Sequence, residues 1–173
     1  MWQDSFILRK NENRLNGFSS SSFFQIPIDH LKAVTIWENN TLPVYKRELG
    51  ENPWTASLSQ WIGHSYMTLA GGNSGDYANK AKRRLEEALA IQTKLLGDHL
   101  DTARSNVSLC DVLRIQGELK LALEQLKKGL EIHRSVLGPE HEETMATREK
   151  TEELQRLVGE EQLPRNSWCV SCV

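Results

Sequence analysis

Several residues have the types and spacings that could ligate zinc, and the clearest case is the segment 141–145, which reads HEETM. A zinc-protease helix needs a second histidine four residues after the first, but that position holds Met145. His99 and His141 recur at matching places in two similar segments, one full repeat apart. Metal ligands should converge, so we predict that each histidine helps to start the helix that follows it. No metal and no cofactor are expected.

The three cysteines give no clear reactive site. Cys169 and Cys172 have the two-residue spacing of a redox centre or half of a zinc site, but a second ligand pair is missing. We therefore expect a tail without chemistry. Cys110 is predicted to be a small core residue, because a free cysteine packs like a small hydrophobic side chain. An odd count without a framework argues against a disulfide-rich secreted domain.

Nucleophilic and phosphate-binding chemistry are also poorly supported. Nothing in the sequence places Ser105, His99 and Asp101 in a triad with an oxyanion hole. The segment 71–75 is glycine-rich, but it lacks the Lys-Ser/Thr of a phosphate-binding loop and reads as an inserted loop. We expect a protein that is not an enzyme.

The net charge and the hydropathy pattern argue against a nucleic-acid-binding protein and a membrane protein. The 173 residues carry 21 Lys and Arg against 23 Asp and Glu, a formal net charge of −2. The one dense basic cluster, residues 80–84, has glutamates four residues after Lys82 and Arg83, a spacing typical of ion pairs on a solvated helix. Nucleic acid is therefore not the expected partner. No apolar run is long enough to span a bilayer, and the first ten residues lack a signal-peptide pattern, so we expect a cytoplasmic protein without a membrane anchor.

An internal repeat sets the architecture. Leu-Gly pairs begin at Leu49, Leu96 and Leu137, a spacing of 47 and then 41 residues, and the segment 85–91 resembles 126–132 at the same spacing of 41. The extra six residues fit the loop at 70–75. Each period holds two stretches in which apolar residues recur every three or four positions, which predicts amphipathic helices and no sheet. These stretches are 57–69, 76–96, 102–115 and 119–137.

The flanks suggest half repeats and two poorly ordered ends. Residues 29–48 read as one more helix, which Pro43 should kink or split. A strongly charged last helix follows Gly138, as expected for the polar cap of a repeat array. The predicted organisation is a poorly ordered leader (1–28), a repeat domain (29–159) and a flexible tail (160–173).

The repeats resemble the tetratricopeptide repeat, and in particular its kinesin-light-chain-like subtype. The linker Leu137-Gly138-Pro139-Glu140-His141 carries this resemblance, with a shorter version at 96–99. Gly63 and Cys110 stand where the pattern requires a small residue in the first helix of a repeat. The resemblance implies an all-α, right-handed helical-hairpin solenoid of two full repeats plus flanking half repeats.

The same resemblance implies a binding surface and a function. The first helix of each pair would line a concave groove, so its inward positions become candidate partner-binding residues: Ser57, Gln60, His64 and Met67 with Thr68 in the first repeat, and Arg104, Val107, Asp111 and Arg114 with Ile115 in the second. We expect a non-enzymatic module or scaffold that binds a protein or extended peptide there. Arg104 and Arg114 could receive acidic groups. An ordinary solvated face, a fragment of a larger repeat-containing signalling receptor, a cargo adaptor, and self-association through open stacking ends remain alternatives.

Overall fold

A computed structural model describes residues 29–70 and 75–161, and all regular structure in these two ranges is helical. The predicted all-α class is confirmed. The leader 1–28, most of the inserted loop and nearly all of the predicted tail lie outside the described residues. The helices are α1 (His30–Ile36), a π-helical turn (Trp37–Thr41), α2 (Leu42–Leu49), α3 (Pro53–Ala70), α4 (Gly75–Leu96), α5 (Leu100–Ile115), α6 (Leu119–Leu137) and α7 (Glu142–Glu161).

Consecutive helices pack as antiparallel hairpins that stack in chain order. Helix α3 packs along α4, and α5 packs along α6. Helix α7 then packs on α6, while α1 and α2 pack on α3. This arrangement is the predicted helical-hairpin solenoid, with two full hairpins and half a hairpin at each end.

A continuous core runs through the stack. One buried side chain from each of five helices along the stack shows this: Val34, Ile62, Leu85, Val112 and Leu154. Ile62 and Leu85 belong to the stripes predicted from the three- and four-residue spacing, because only one face of each helix meets a neighbour. Cys110 is buried in the same core, as predicted.

Two glycines let the paired helices approach closely. A Cβ atom on Gly63 would lie 2.8 Å from Leu85 Cγ and 3.3 Å from the carbonyl oxygen of Ala81. A Cβ atom on Gly129 would lie 3.2 Å from the carbonyl oxygen of Ala103. A methyl group at Gly63 would clash with the Leu85 side chain, and one at Gly129 would be unusually close to the backbone of the facing helix.

The repeated histidines start helices, as predicted. His99 Nδ1 accepts a hydrogen bond from the backbone N–H of Asp101 at 3.2 Å. His141 Nδ1 accepts one from the backbone N–H of Glu143, also at 3.2 Å. Each imidazole thus satisfies a backbone donor that the first turn of a helix leaves without an intrahelical acceptor.

Pro43 does not break the first helical segment. The chain stays helical from His30 to Leu49, and the interruption is the π-helical turn directly before the proline, where the backbone N–H of Leu42 donates to the carbonyl of Trp37. A proline has no N–H and its ring crowds the carbonyl four residues earlier. The wider π turn accommodates both effects, so the expected kink becomes a local change of helix type.

Gly63→Ala should destabilise the protein by about 1–3 kcal/mol, because the added methyl group overpacks a contact that includes backbone atoms. Gly159→Ala is the matched control, since a Cβ there would meet nothing within 4 Å. Its effect should be neutral or stabilising by up to about 1 kcal/mol. Urea denaturation of both variants tests this, and equal effects would contradict the close-approach argument.

Candidate functional site

The eight candidate binding residues lie on the first helices of the two hairpins. Ser57, Gln60, His64 and Met67 are on α3, and Arg104, Val107, Asp111 and Arg114 are on α5; we call them together the first-helix face. Arg104 and Arg114 are exposed, and the other six are half-buried. The face is therefore accessible along both helices.

Arg104 is held by carboxylates of its own chain. Its Nη2 donates to Glu143 Oε1 at 3.1 Å, and its Nη1 lies 3.8 Å from Asp101 Oδ1. Glu143 belongs to α7, so this pair joins the first helix of the second repeat to the first helix of the third. A partner carboxylate at Arg104 would have to compete with Glu143.

Asp111 forms the second contact between α5 and α7. Lys150 Nζ lies 3.2 Å from Asp111 Oδ2. Arg114, one turn further along α5, lies 4.0 Å from Asp111 Oδ1, a longer and weaker contact. Of the two predicted acid-binding arginines, Arg114 is the less tightly paired. The ion pairs that Glu143 and Lys150 make with α5 were not predicted. The seven-residue spacing of these two charges on one helix could have indicated that both face the same neighbouring helix.

Among the candidate residues on α3, Gln60 and His64 have defined surroundings. Gln92, buried on α4, donates from Nε2 to Gln60 Oε1 at 3.2 Å, so the Gln60 side chain is engaged with its own hairpin. Burial lowers the pKa of His64 below its ordinary value of 6.5; His30 lowers it further, and Asp111 partly opposes them. His64 therefore contributes a neutral imidazole at pH 7, next to the acidic position on α5.

His133 connects α6 to α7 behind this face. The Thr147 hydroxyl donates to the carbonyl of Glu143 at 2.7 Å, so it must accept from His133 Nδ1, which lies 3.0 Å away. The neutral ring thus carries its proton on Nδ1. Burial lowers the pKa of His133, although Glu143 opposes this.

Two residues of the basic cluster at 80–84 pair with carboxylates outside their own helix, and one of them also pairs within it. Lys82 Nζ lies 3.1 Å from Glu118 Oε1, just before α6. Arg84 Nη2 lies 2.7 Å from Glu38 Oε1 in the π-helical turn, and its Nη1 lies 2.9 Å from Glu87 Oε2. For Lys82 the four-residue spacing therefore predicted the wrong partner, because the residue before α6 brings a carboxylate within reach.

Glu38 is the hub of that network. Tyr66 donates its hydroxyl hydrogen to Glu38 Oε2 at 2.5 Å, and Lys46 of α2 pairs with Glu87. Burial alone would raise the pKa of Glu38, but the hydrogen bonds from Tyr66 and Arg84 outweigh it and hold the pKa below the ordinary 4.5. The network fastens α1, the π turn and α2 to the first full hairpin.

Three residues whose chemistry was considered in the sequence are buried or make structural contacts. Ser105 is fully buried, and His99 uses Nδ1 to cap its helix. Burial raises the pKa of the Cys110 thiol to about 11, which makes it a poor nucleophile at neutral pH. Within residues 29–70 and 75–161, no group of three or more His, Cys, Asp or Glu side chains could hold a metal ion.

A model of a known protein family matches part of this chain. Residues 74–134 fit the family model described as tetratricopeptide repeat, a match that runs from the start of α4 into α6. A comparison with curated proteins finds no match.

The tetratricopeptide family is a non-enzymatic repeat module, and its repeats generally mediate protein–protein interaction. The similarity of residues 74–134 to this family supports protein partners. None of the described helices is long and apolar enough to cross a membrane.

Arg84→Met should lower the free energy of unfolding by about 2 kcal/mol at pH 7, because it leaves Glu38 half-buried without its cation. The pKa of Glu38 and of Glu87 is lowered in the folded protein. The stabilisation that these two ionised carboxylates provide is thus present above pH 4.5 and is lost as the pH falls through their pKa values in the folded protein. The difference between variant and wild type should shrink below pH 4.5 in urea denaturation. Arg134→Met on exposed α6 is the control, and an equal loss there would refute the network.

His133 should titrate below pH 6.5, since its burial favours the neutral ring. The unfolded chain then binds more protons between the two pKa values, so stability is complete above pH 6.5 and decreases as the pH falls. Histidine NMR titration measures the midpoint directly. His133→Gln should reduce the loss of stability between pH 7 and pH 5.5; a midpoint at or above 6.5 would contradict the assignment.

Proposed function

We propose that this chain is a non-enzymatic interaction module that binds an extended segment of a partner protein along the first-helix face. Stacked helical repeats create extended concave surfaces that suit such segments. The observation that carries the proposal is the row of charged side chains joining α5 to α7, Arg104 with Glu143 and Asp111 with Lys150. It lies on the first helices of the repeats.

The ion pairs prepare the face for binding. Each one joins two first helices, so it restrains long side chains before a partner arrives. Restraining these side chains in advance reduces the entropy lost on association. The mechanism is rigid presentation of polar groups and involves no covalent step.

Arg114 is the proposed contact for an acidic group of the partner. Its nearest carboxylate contact is at 4.0 Å, and its side chain is 38% exposed, so it retains donors for a second carboxylate. Arg104 is less suited to this role because Glu143 already occupies its guanidinium at 3.1 Å. A partner segment with both signs of charge would match Arg114, Asp111 and Lys150 together.

We assign the repeats to the kinesin-light-chain-like subtype as part of the same proposal. The Leu-Gly-Pro-x-His linker at 137–141 supports this, and so do the two histidines that cap α5 and α7. A cytoplasmic location is proposed on the cysteine pattern, which includes the buried thiol of Cys110.

Arg114→Glu should weaken partner binding about tenfold, because it reverses a charge that faces the bound segment. Arg134→Glu makes the same charge change on α6 and should leave binding unaltered. Full-length wild type and both variants would be used as baits in one lysate, with recovered proteins quantified by mass spectrometry and bait stability checked by thermal unfolding. Equal recovery of every protein by wild type and Arg114→Glu would overturn the proposed site.

A further inference from the structure

The second helices of the two full hairpins, α4 and α6, border an open groove. Its volume is about 510 Å³, which is within the range of pockets that hold ligands. Half-buried Leu89 of α4 and buried Leu109 of α5 are apolar parts of its lining. Its charged and amide side chains are Glu86 and Lys94 of α4 and Gln125 and Lys128 of α6. None of the eight candidate residues of the first-helix face lines this groove.

The preceding gap in the same layer of helices is closed by the chain's own charges. There the helical segment 30–49 stands before α4, as α4 stands before α6. Arg84 Nη2 of α4 lies 2.7 Å from Glu38 Oε1, and Glu87 of α4 pairs with Lys46. Two ion pairs of opposite order therefore join one helix of this layer to the next.

The later helix, α6, has lost both members of that bridge. The 41-residue spacing of the repeats places Gln125 where α4 has Arg84, and Lys128 where α4 has Glu87. The first exchange removes a cation, and the second reverses a charge.

The earlier helix, α4, has kept its two charges. Glu86 and Lys94 are eight residues apart in the order acid then base, as are Glu38 and Lys46 in the preceding gap. Their opposite numbers on α6 no longer match them. Both α4 and α6 lie wholly within the described residues, and no ion pair or hydrogen bond joins these two helices.

The unmatched charges give the groove a polarity. Lys128 has no ion pair among the described residues. Lys94 pairs with Glu51, but these side chains are 66% and 59% exposed, so the pair is weak and a second carboxylate can compete for the lysine. Two lysines thus line the groove together, while Glu86 lies about 12 Å before Lys94 along α4. An acid in this position opposes a nucleic-acid backbone and favours a segment with both signs of charge.

We propose that the α4–α6 groove binds an extended segment of a partner protein. An acidic side chain of this segment lies between Lys94 and Lys128, an apolar side chain covers Leu89, and a basic side chain reaches Glu86. An extended chain rises about 3.3 Å per residue, so the acidic and basic residues are roughly four positions apart. The partner thereby supplies the two ion pairs that Arg84 and Glu87 supply in the preceding gap.

Selection from a random peptide library displayed on phage tests this site. Full-length wild type is the bait, and each enriched peptide is synthesised and measured by fluorescence anisotropy. At least one group of enriched peptides should carry an acidic and a basic residue about four positions apart. These peptides should bind Lys128→Glu about tenfold more weakly than wild type. Lys127→Glu is the matched control, because Lys127 is exposed on α6 but does not line the groove, and its affinity should equal that of wild type.

A second variant closes the groove without a partner. Gln125→Arg together with Lys128→Glu transfers to α6 the residue types that α4 uses at Arg84 and Glu87. The thermal midpoint should rise by about 2 °C, because new ion pairs form with Glu86 and Lys94. The selected peptides should bind this variant at least about tenfold more weakly than wild type. Unchanged affinity for it would overturn the proposal.

Other occupants give different results. If every enriched peptide is weakened by Arg114→Glu and none by Lys128→Glu, all of them bind the first-helix face, which overturns the groove site but leaves the proposed function standing. If analytical ultracentrifugation shows wild type as a dimer and Lys128→Glu as a monomer, a second copy occupies the groove, which also overturns the proposal.

Discussion

The structure depends on how closely the two helices of each hairpin approach. At Gly63 the backbone of α3 lies against Ala81 and Leu85 of α4, and at Gly129 the backbone of α6 lies against Ala103 of α5. These contacts set the separation of the helices, and with it the spacing of the hairpins that stack on them. Because each repeat touches only its neighbours, the described helices present an extended surface.

Charge is arranged on that surface in two separate networks. Arg84, Glu38 and Glu87 fasten the incomplete first hairpin to the rest, in a setting that is largely shielded from water. Arg104 and Asp111 instead reach α7 where water has more access, so each of these pairs contributes less to stability. The first network supports the fold, whereas the second holds charged side chains on the accessible first-helix face. This difference makes the α5–α7 side the better candidate for recognition.

Much of the fold was predictable, since its signals are local. The paired Leu-Gly landmarks located the linkers, and the two repeated histidines were correctly expected to start α5 and α7. The π turn before Pro43 was not predicted, because the periodicity of apolar residues does not distinguish a π turn from an α-helical one. The partners of Lys82 and Arg84 were also missed, because they come from residues 36 and 46 positions away. The candidate binding residues lie on α3 and α5, but the pairing of Arg104 with Glu143 and of Asp111 with Lys150 depends on the contact between α5 and α7.

The sequence by itself determined the helices, their pairing order and the positions that need small residues, because these follow from periodicity and from steric limits within a few turns. The tertiary structure alone decided which charges meet and which large side chains stay uncovered. An arginine can form ion pairs of similar free energy with any of several carboxylates. The packing of the neighbouring helices determines which carboxylate lies within reach. The exposure of Trp54 and Trp61 on α3 has the same origin, because the positions of neighbouring helices determine which apolar side chains are covered.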